Sequence, residues 1–387
     1  LINFTDNLSC HFSKQKRSIS TIDSRKFYTY PAAMANNETL SRLKATPVTD
    51  LAQPLTAAQI GCWQKEGAVL VSNLFPDNDV NFLHQAASDR FPQPGTLNAD
   101  ETQDFGSAGA MNFPSELAEF NNIVLNPRLL QAVAALLEVK VSELRLSQAD
   151  LWPKYGRAQK PGTSLDNSDQ RIHVDYPNHS LAHPTPWSRP EAVEMMLYLS
   201  DGKTCGGGTA YVARRGDSDP AYRWPIVDSP GIGTLDYVND RTKAEEYLAR
   251  VKPQISTFRS LLYERETQID YDFGDLLLYR HDTWHRGNPV NPGTCRFALN
   301  VTYRKASAEW ISTLHIGWAW SAYHKSKFLE RLIATCTLDQ RAVLGFPQPQ
   351  SDYWCDETLA GVAARYGALG MDMRPYTQAH KMRNRQP

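Results

Sequence analysis

The sequence lacks any apolar stretch long enough to cross a membrane, and it lacks paired cysteines. Its 387 residues contain no run of the ~18–20 apolar residues that a bilayer span requires. The six cysteines are scattered and none forms a CxxC pair, so no disulfide framework is expected. These absences predict a soluble intracellular protein, most simply a cytoplasmic one, or an organellar one if residues 1–33 are a transit segment.

An excess of charge of either sign is also missing. Lys plus Arg number 41 and Asp plus Glu number 42, for a formal net charge of −1. Such a chain has no general attraction to nucleic acid or anionic lipid. A hydrophobic share of 41% excludes a disordered chain, and 22 glycines and 24 prolines are too few for a collagen-like one. Nucleic acid is therefore not an expected partner, and the oligomeric state stays open.

Three regions are predicted along the chain. Residues 1–33 are basic, which is typical of a transit segment but equally of a stretch ahead of a start at Met34. Under both interpretations residues 1–50 form a flexible N-terminal segment. Residues 51–305 are expected to form the main domain, with an insertion over 216–272, and residues 306–387 a helical extension.

Helical patterns come before a strand-rich middle. Helices are predicted over Ala57–Glu66, Asp77–Arg90, Ser115–Asn122, Pro127–Leu137 and Arg241–Val251, and residues 93–113 are predicted to be a loop. Strands are predicted over Ala68–Ser72, Ser142–Leu151, Ala192–Ser200, Thr209–Arg214, Asp275–Tyr279 and Cys295–Lys305. This order indicates an α+β protein with an antiparallel barrel or jelly roll.

One short motif has the composition of a metal site. His173 and Asp175 flank Val174, and residues i and i+2 of a strand project from the same face. About one such motif is expected by chance, so the motif alone is weak evidence. Downstream, His281 and His285 offer a further ligand. Two histidines and one carboxylate on one face form the ligand set of non-haem Fe(II) oxygenases.

An arginine lies eleven residues after His285, on a strand of alternating character. Arg296 shares one face of Cys295–Lys305 with alternate residues that are mostly polar, and the other face is apolar. The ordinary interpretation is a polar face exposed to solvent. In a barrel with a wet interior the polar face would point inward instead, and a buried arginine would then favour a carboxylate ligand.

These residues resemble the phytanoyl-CoA dioxygenase family of Fe(II)/2-oxoglutarate-dependent oxygenases, in which an HxD motif, a distal His and a later Arg recur. The resemblance covers roughly Leu55 to Lys305. It includes three further segments, which are Leu55-Thr-Ala-Ala-Gln-Ile through Gly67-Ala-Val-Leu-Val, Asn126-Pro-Arg-Leu-Leu-Gln-Ala-Val and Gly207-Gly-Thr-Ala-Tyr-Val-Ala-Arg-Arg-Gly216. Val174 departs from the family, where Gln is frequent.

The resemblance implies a double-stranded β-helix fold, with iron held by His173, Asp175 and His285. It implies that 2-oxoglutarate binds the iron and sets its far carboxylate on Arg296, with O2 as the oxidant and ascorbate as a candidate reductant. The carboxylate of Asp175 favours hydroxylation, because halogenating relatives have a small residue there. Gln148 and Trp152 are candidates for further 2-oxoglutarate contacts, although packing would explain them equally well.

Two alternative functions remain open, and so does the role of the insertion. A metal-free barrel could serve as a binding scaffold, although none of the ligands is lost. A zinc hydrolase could use the same three ligands, but the sequence has no HExxH base and that chemistry leaves Arg296 unexplained. The insertion over 216–272 is either a lid over the site or a rigid decoration of the barrel. The resemblance implies hydroxylation of a small-molecule substrate, organic or acyl, with release of succinate and CO2, but the substrate itself is not predicted.

Overall fold

Two β-sheets that face each other form the centre of the computed structural model. The structure describes residues 41–50, 52–101, 111–157, 169–176, 184–185, 187–222, 226, 228–230, 235–236, 238–308, 328–344, 346, 348–351, 354, 359, 362–363 and 366–384. Its strands are β1 Ser41–Lys44, β2 Thr46–Pro47, β3 Ala68–Ser72, β4 Met111–Asn112, β5 Leu144–Tyr155, β6 Ala192–Tyr198, β7 Thr209–Val212, β8 Glu266–Asp270, β9 Leu276–Arg280, β10 His285–Gly287 and β11 Cys295–Lys305. The small sheet has the order β1-β8-β7-β10, and the large sheet has the order β2-β3-β9-β6-β11-β5-β4.

From β5 onward the chain passes between the sheets in the order of a jelly roll. It runs from β5 in the large sheet to His173, which bridges β10 of the small sheet, and then to β6 in the large sheet. Strands β7 and β8 follow in the small sheet, then β9 in the large, β10 in the small and β11 in the large. The predicted α+β, double-stranded β-helix fold is confirmed.

The helices lie mostly before and after these strands. Their bounds are α1 Ala57–Glu66, α2 Asp77–Arg90, α3 Leu97–Glu101, α4 Ala118–Val124, α5 Pro127–Leu137, α6 Gly202–Cys205, α7 Arg241–Val251, α8 Ser256–Glu264, α9 Phe328–Thr335, α10 Leu338–Val343 and α11 Arg374–Arg383. Clear end signals explain why α1 has the predicted bounds. The Thr56 side chain accepts the Gln59 N–H at its start, and Gly67 takes a left-handed φ of 103° at its end.

The two faces of the large sheet differ in character. On β11, Leu299 and Val301 are buried in one apolar cluster with Leu83 of α2 and Val133 of α5. The intervening residues, such as Asn300, line a cavity between the sheets. The polar face of β11 therefore points inward, and the ordinary interpretation of a solvent-facing polar side is wrong.

Several boundaries differ from those predicted. Residues 1–40 lie outside the described part of the chain, but β1 and β2 pair with β8 and β3, so residues 41–47 belong to the sheets and not to a flexible segment. The insertion over 216–272 likewise ends in a strand, β8, which pairs with β7. The predicted loop over 93–113 contains α3 and β4. These short or polar strands have little hydrophobic periodicity, which is why the sequence did not indicate them.

No helix among the described residues is long and apolar enough to span a bilayer.

Candidate metal centre

Backbone pairing brings two histidines together at one edge of the small sheet. His173 and His285 form an antiparallel bridge, with each N–H donating to the other's carbonyl at 2.9 and 2.8 Å. Their side chains therefore project from the same side, with ring centroids 4.4 Å apart. The predicted pairing of a proximal and a distal histidine agrees with this arrangement.

A backbone carbonyl orients each imidazole. Nδ1 of His173 lies 3.0 Å from the Arg171 carbonyl, and Nδ1 of His285 lies 3.0 Å from the Thr283 carbonyl. Because a carbonyl oxygen only accepts, each Nδ1 carries the proton. In the neutral tautomer Nε2 then has a free lone pair, which is the arrangement that metal-binding histidines use.

The carboxylate of Asp175 completes the group. Its oxygens lie 3.4 Å from Nε2 of His173 and 3.2 Å from Nε2 of His285. The Tyr279 hydroxyl donates to Asp175 at 3.1 Å, and the Asp175 N–H donates to the His281 carbonyl at 3.0 Å. His281 thus supports the loop through its backbone, and it is not a member of the ligand cluster.

The three donor atoms suit a cation. Potential ligand atoms of His173, Asp175 and His285 all lie within 4.8 Å of one another, and they form the one such cluster in the described part of the chain. Lone pairs that converge at this distance repel each other unless a proton or a metal ion lies between them. Two imidazoles and one carboxylate, with further positions left open, match iron's preference in oxygenases.

Burial and charge set the protonation of the cluster. Burial, aided by the charge of His285, lowers the pKa of His173 to about 4, so this ring is neutral near pH 7. Burial alone would raise the pKa of Asp175, but the charge of His285, followed by the contacts with the two rings, holds it well below its usual value. The same carboxylate raises the pKa of His285 against the effect of burial. The converging ligand atoms therefore hold at most one proton, on Nε2 of His285, and a metal ion would displace it.

Arg296 lies in the same cavity. The cavity has a volume of about 180 Å³ and lies between the two sheets. Arg296 is 5% exposed, and one of its Nη atoms donates to the Gly207 carbonyl. Among the described residues its Nε has no hydrogen-bond partner. A buried guanidinium in this state favours an incoming anion.

Gln148 and Trp152 also line the cavity, as does a lysine that sequence reasoning missed. Lys154 lies directly opposite Arg296 in the β5–β11 register, so both side chains project from the same face. Lys154 Nζ donates to the Asn288 carbonyl at 2.8 Å. Only the strand register connects Lys154 with Arg296, because 141 intervening residues separate them in the sequence.

Glu194 and Tyr279 are two further cavity residues that the sequence did not indicate. They are partners in the β6–β9 register, on the side of the cavity next to Asp175. Burial, followed by the charge of Asp175, raises the pKa of Glu194 well above its usual value, which favours its neutral acid. Thr302 donates a hydrogen bond to Glu194. No motif in the sequence marks these residues, since each lies in a largely apolar strand.

Comparisons with known proteins give similarity in fold alone. No protein-family model matches the chain. No curated protein matches it either. Similar solved structures include the non-heme alpha ketoglutarate dependent carbocyclase SnoK from nogalamycin biosynthesis, at 16% identity and a TM-score of 0.45, over 69% of this chain and 90% of that one.

Two more solved structures are similar to a comparable degree. The epimerase SnoN, solved with Fe3+, alpha ketoglutarate and nogalamycin RO, is 14% identical with a TM-score of 0.43, over 66% of this chain and 86% of that one. EctD from S. alaskensis, in its apoform, is 16% identical with a TM-score of 0.43, over 71% and 87%. Likeness at this level carries no argument about the reaction or substrate of this protein.

Proposed function

We propose that this protein is an Fe(II)/2-oxoglutarate-dependent dioxygenase of the phytanoyl-CoA dioxygenase type. In this proposal His173, Asp175 and His285 hold the iron. The observation that carries the proposal is the convergence of their ligand atoms within 4.8 Å, with both imidazole Nδ1 atoms committed to carbonyls. Iron, when bound, supplies the redox chemistry that activates O2, with 2-oxoglutarate as the electron source.

The distal carboxylate of 2-oxoglutarate is assigned to Arg296, with Lys154 beside it. Lys154 donates to the carbonyl of Asn288, three residues beyond His285, and Arg296 donates to that of Gly207, four residues before Tyr211, the β7 partner of His285. Both cations thus lie toward the same end of the cavity, where a dicarboxylate that chelates the metal at one end would place its second carboxylate. Arg296 supplies a planar pair of donors for it, and Lys154 supplies a second positive charge.

The reaction proposed is hydroxylation of a small organic or acyl substrate. One atom of O2 enters a substrate C–H bond to give an alcohol, and the other enters succinate as CO2 leaves. The chain's own contribution is to orient the imidazoles, hold Asp175 through the Tyr279 hydroxyl, and exclude bulk water from the cavity. The alternative of a zinc hydrolase leaves unexplained the buried Arg296, whose Nε has no hydrogen-bond partner among the described residues.

The experiment is measurement of succinate by NMR after mixing the protein with 2-oxoglutarate, O2 and Fe(II). Many such enzymes turn over 2-oxoglutarate slowly without their primary substrate, so succinate is expected in the complete mixture and not when Fe(II) is replaced by Zn(II). The His285→Ala variant, which lacks one ligand, should give none. Equal succinate from both proteins would remove His285 from the ligand set.

A further inference from the structure

Side chains of the insertion bind both backbone polar groups of Ile172, the residue just before His173. The Ile172 N–H donates to the Tyr263 hydroxyl at 3.1 Å, and an Nη of Arg259 donates to the Ile172 carbonyl at 3.0 Å. Ile172 is fully buried, so these groups have no access to water. Both polar backbone groups of Ile172 thus bond to side chains, whereas the two residues before it have backbone partners: the Gln170 N–H donates to the Gly287 carbonyl of β10, and the Arg171 N–H donates to the Asn239 carbonyl.

Glu245 of α7 holds the two α8 side chains in place. Arg259 donates to its carboxylate from Nε and Nη, at 3.1 and 2.7 Å, and the Tyr263 hydroxyl donates to it at 2.7 Å. The hydroxyl therefore has its proton directed to Glu245 and its lone pairs directed to the Ile172 N–H. Arg259 is 1% exposed and the Glu245 side chain is 29% exposed, so solvent screens this ion pair only in part.

A second group of charges supports the strand of His285 from the same side. Arg286 donates to both carboxylate oxygens of Glu266, at 2.5 and 2.9 Å, and to Asp169 at 2.5 Å. Its guanidinium carbon lies 6.0 Å from the Tyr263 ring centroid. Arg286 follows His285 on β10, so it projects from the opposite face, away from the cavity. Tyr263 is thus shared by the supports of both histidine strands.

We infer that Tyr263, Glu245 and Arg259 form a positioning cluster that sets the orientation of His173. The orientation follows from a short chain of contacts. The cluster bonds the peptide groups on both sides of Ile172. The first of these groups includes the Arg171 carbonyl, which receives the proton of His173 Nδ1. The insertion is on this view a fixed support for the ligand strand and not only a lid. The role of the cluster in metal binding depends on the proposed function, but its hold on the strand does not.

The first test uses Tyr263→Phe, which deletes only the hydroxyl. Tyr247→Phe is a matched control, because the Tyr247 hydroxyl also accepts a backbone N–H, that of Asp236, in the same insertion but away from His173. We expect Co(II) to bind Tyr263→Phe roughly ten- to a hundred-fold more weakly, with altered visible bands, as for losses of outer-sphere partners elsewhere. Tyr247→Phe should bind Co(II) as the wild type does. Wild-type affinity and bands in Tyr263→Phe would overturn the inference.

A second variant tests the same inference in case Tyr263→Phe does not fold. Glu245→Gln keeps the side chain's shape but removes the charge that Arg259 and Tyr263 share, and Glu246→Gln is its exposed neighbour on α7. With thermal unfolding used to select variants that remain folded, Glu245→Gln should shift the Co(II) bands and Glu246→Gln should not. Unchanged bands in a folded Glu245→Gln protein would also contradict the cluster's role.

Hydrogen exchange of the Ile172 amide separates this inference from the proposed function. In protein without added metal, exchange of this amide should be about five- to tenfold faster in Tyr263→Phe than in Tyr247→Phe, as expected for one lost hydrogen bond. If the wild type bound no metal while this difference was present, the metal assignment would fail and the hold on the strand would stand. Equal exchange in both variants would refute the positioning cluster, whatever the metal result.

Discussion

The large sheet packs against apolar helices, whereas the small sheet is covered by buried ion pairs. Behind β11, Leu299 and Val301 contact an apolar cluster that includes α2 and α5. Behind β10, Arg286 is paired with Glu266 and Asp169, and the neighbouring cluster of Arg259 and Glu245 holds the strand of His173. Apolar contact is non-directional and contributes mainly stability. Charged hydrogen bonds are directional, so in the small sheet they fix the orientation of the strands that carry the proposed ligands.

The largest effects are expected on the cavity side of the small sheet. His173→Ala, Asp175→Ala and His285→Ala should each reduce metal binding beyond detection, because each removes one of three converging donors. His84→Ala is the control, since this half-buried histidine bonds the Leu199 carbonyl far from the cluster. Isothermal titration with Co(II) or anaerobic Fe(II) measures the loss. Wild-type affinity in the His285 variant would shift attention to His281.

The large sheet should respond to substitution through stability instead. Leu299→Ala leaves a cavity in the apolar cluster, and we expect it to lower the free energy of unfolding by about 2–5 kcal/mol. Asn300→Ala, at the next position on the opposite face, should lose far less, because Asn300 Oδ1 has no partner among the described residues. Urea unfolding of the two variants compares them directly. Similar losses would mean that the two faces of β11 do not differ as the contacts indicate.

The next largest effect is expected when the positive charge of Arg296 is removed from the cavity. Arg296→Ala should weaken 2-oxoglutarate binding roughly ten- to a hundred-fold while metal still binds, which corresponds to about 1.5–3 kcal/mol for a charged hydrogen-bonded contact. Arg304→Ala is a control on the same strand, where the side chain bonds the nearby carbonyls of Lys305 and Ala308. Titration of 2-oxoglutarate into the metal-loaded proteins gives the ratio. An unchanged affinity in Arg296→Ala would place the distal carboxylate elsewhere in the cavity.

The smallest effect concerns pH, at the start of β9. Burial raises the pKa of Asp275 from its usual 3.8 to about 6. The folded state therefore binds this proton more tightly than the unfolded state, and the carboxylate destabilises the fold as pH rises from about 4 to above 6. A rise of that size corresponds to about 1–3 kcal/mol. Asp275→Asn should raise the melting temperature at pH 7.5 more than at pH 4.

The matched comparison for this titration is the exposed Asp236→Asn. Its melting temperature should follow that of the wild type at both pH values. If Asp275→Asn gave the same change in melting temperature at pH 4 as at pH 7.5, the carboxylate would titrate alike in both states, and burial at the start of β9 would not perturb it.

How much the sequence predicts differs between the two sheets. The bounds of β11 and α5 are confirmed residue for residue, because one alternates cleanly and the other begins with a cap at Asn126 and proline at its first position. In β8 only Ile269 is apolar among five residues, and β10 has three residues in all. Strands of this kind are defined by their neighbours, so a single sequence does not reveal them.

In the candidate site, too, the sequence does not reveal residues whose positions depend on neighbouring strands. Spacing and family resemblance pointed to His173, Asp175, His285 and Arg296, and the structure brings these residues to one cavity. Lys154 and Tyr279 were missed because their places depend on strand register. The hydrogen bond between Tyr263 and Ile172 joins residues 91 positions apart. It uses the backbone N–H of Ile172, so no pattern of side chains predicts it.

Anaerobic addition of Fe(II) and then 2-oxoglutarate, followed by visible absorption, tests the central proposal most directly. If the cavity holds both as proposed, a weak metal-to-ligand charge-transfer band should form only when both are present. The band should be absent in His285→Ala, and in Arg296→Ala it should require roughly ten- to a hundred-fold more 2-oxoglutarate. A folded wild-type protein that gives no band with both added would contradict the assignment of this cavity as an Fe(II)/2-oxoglutarate site.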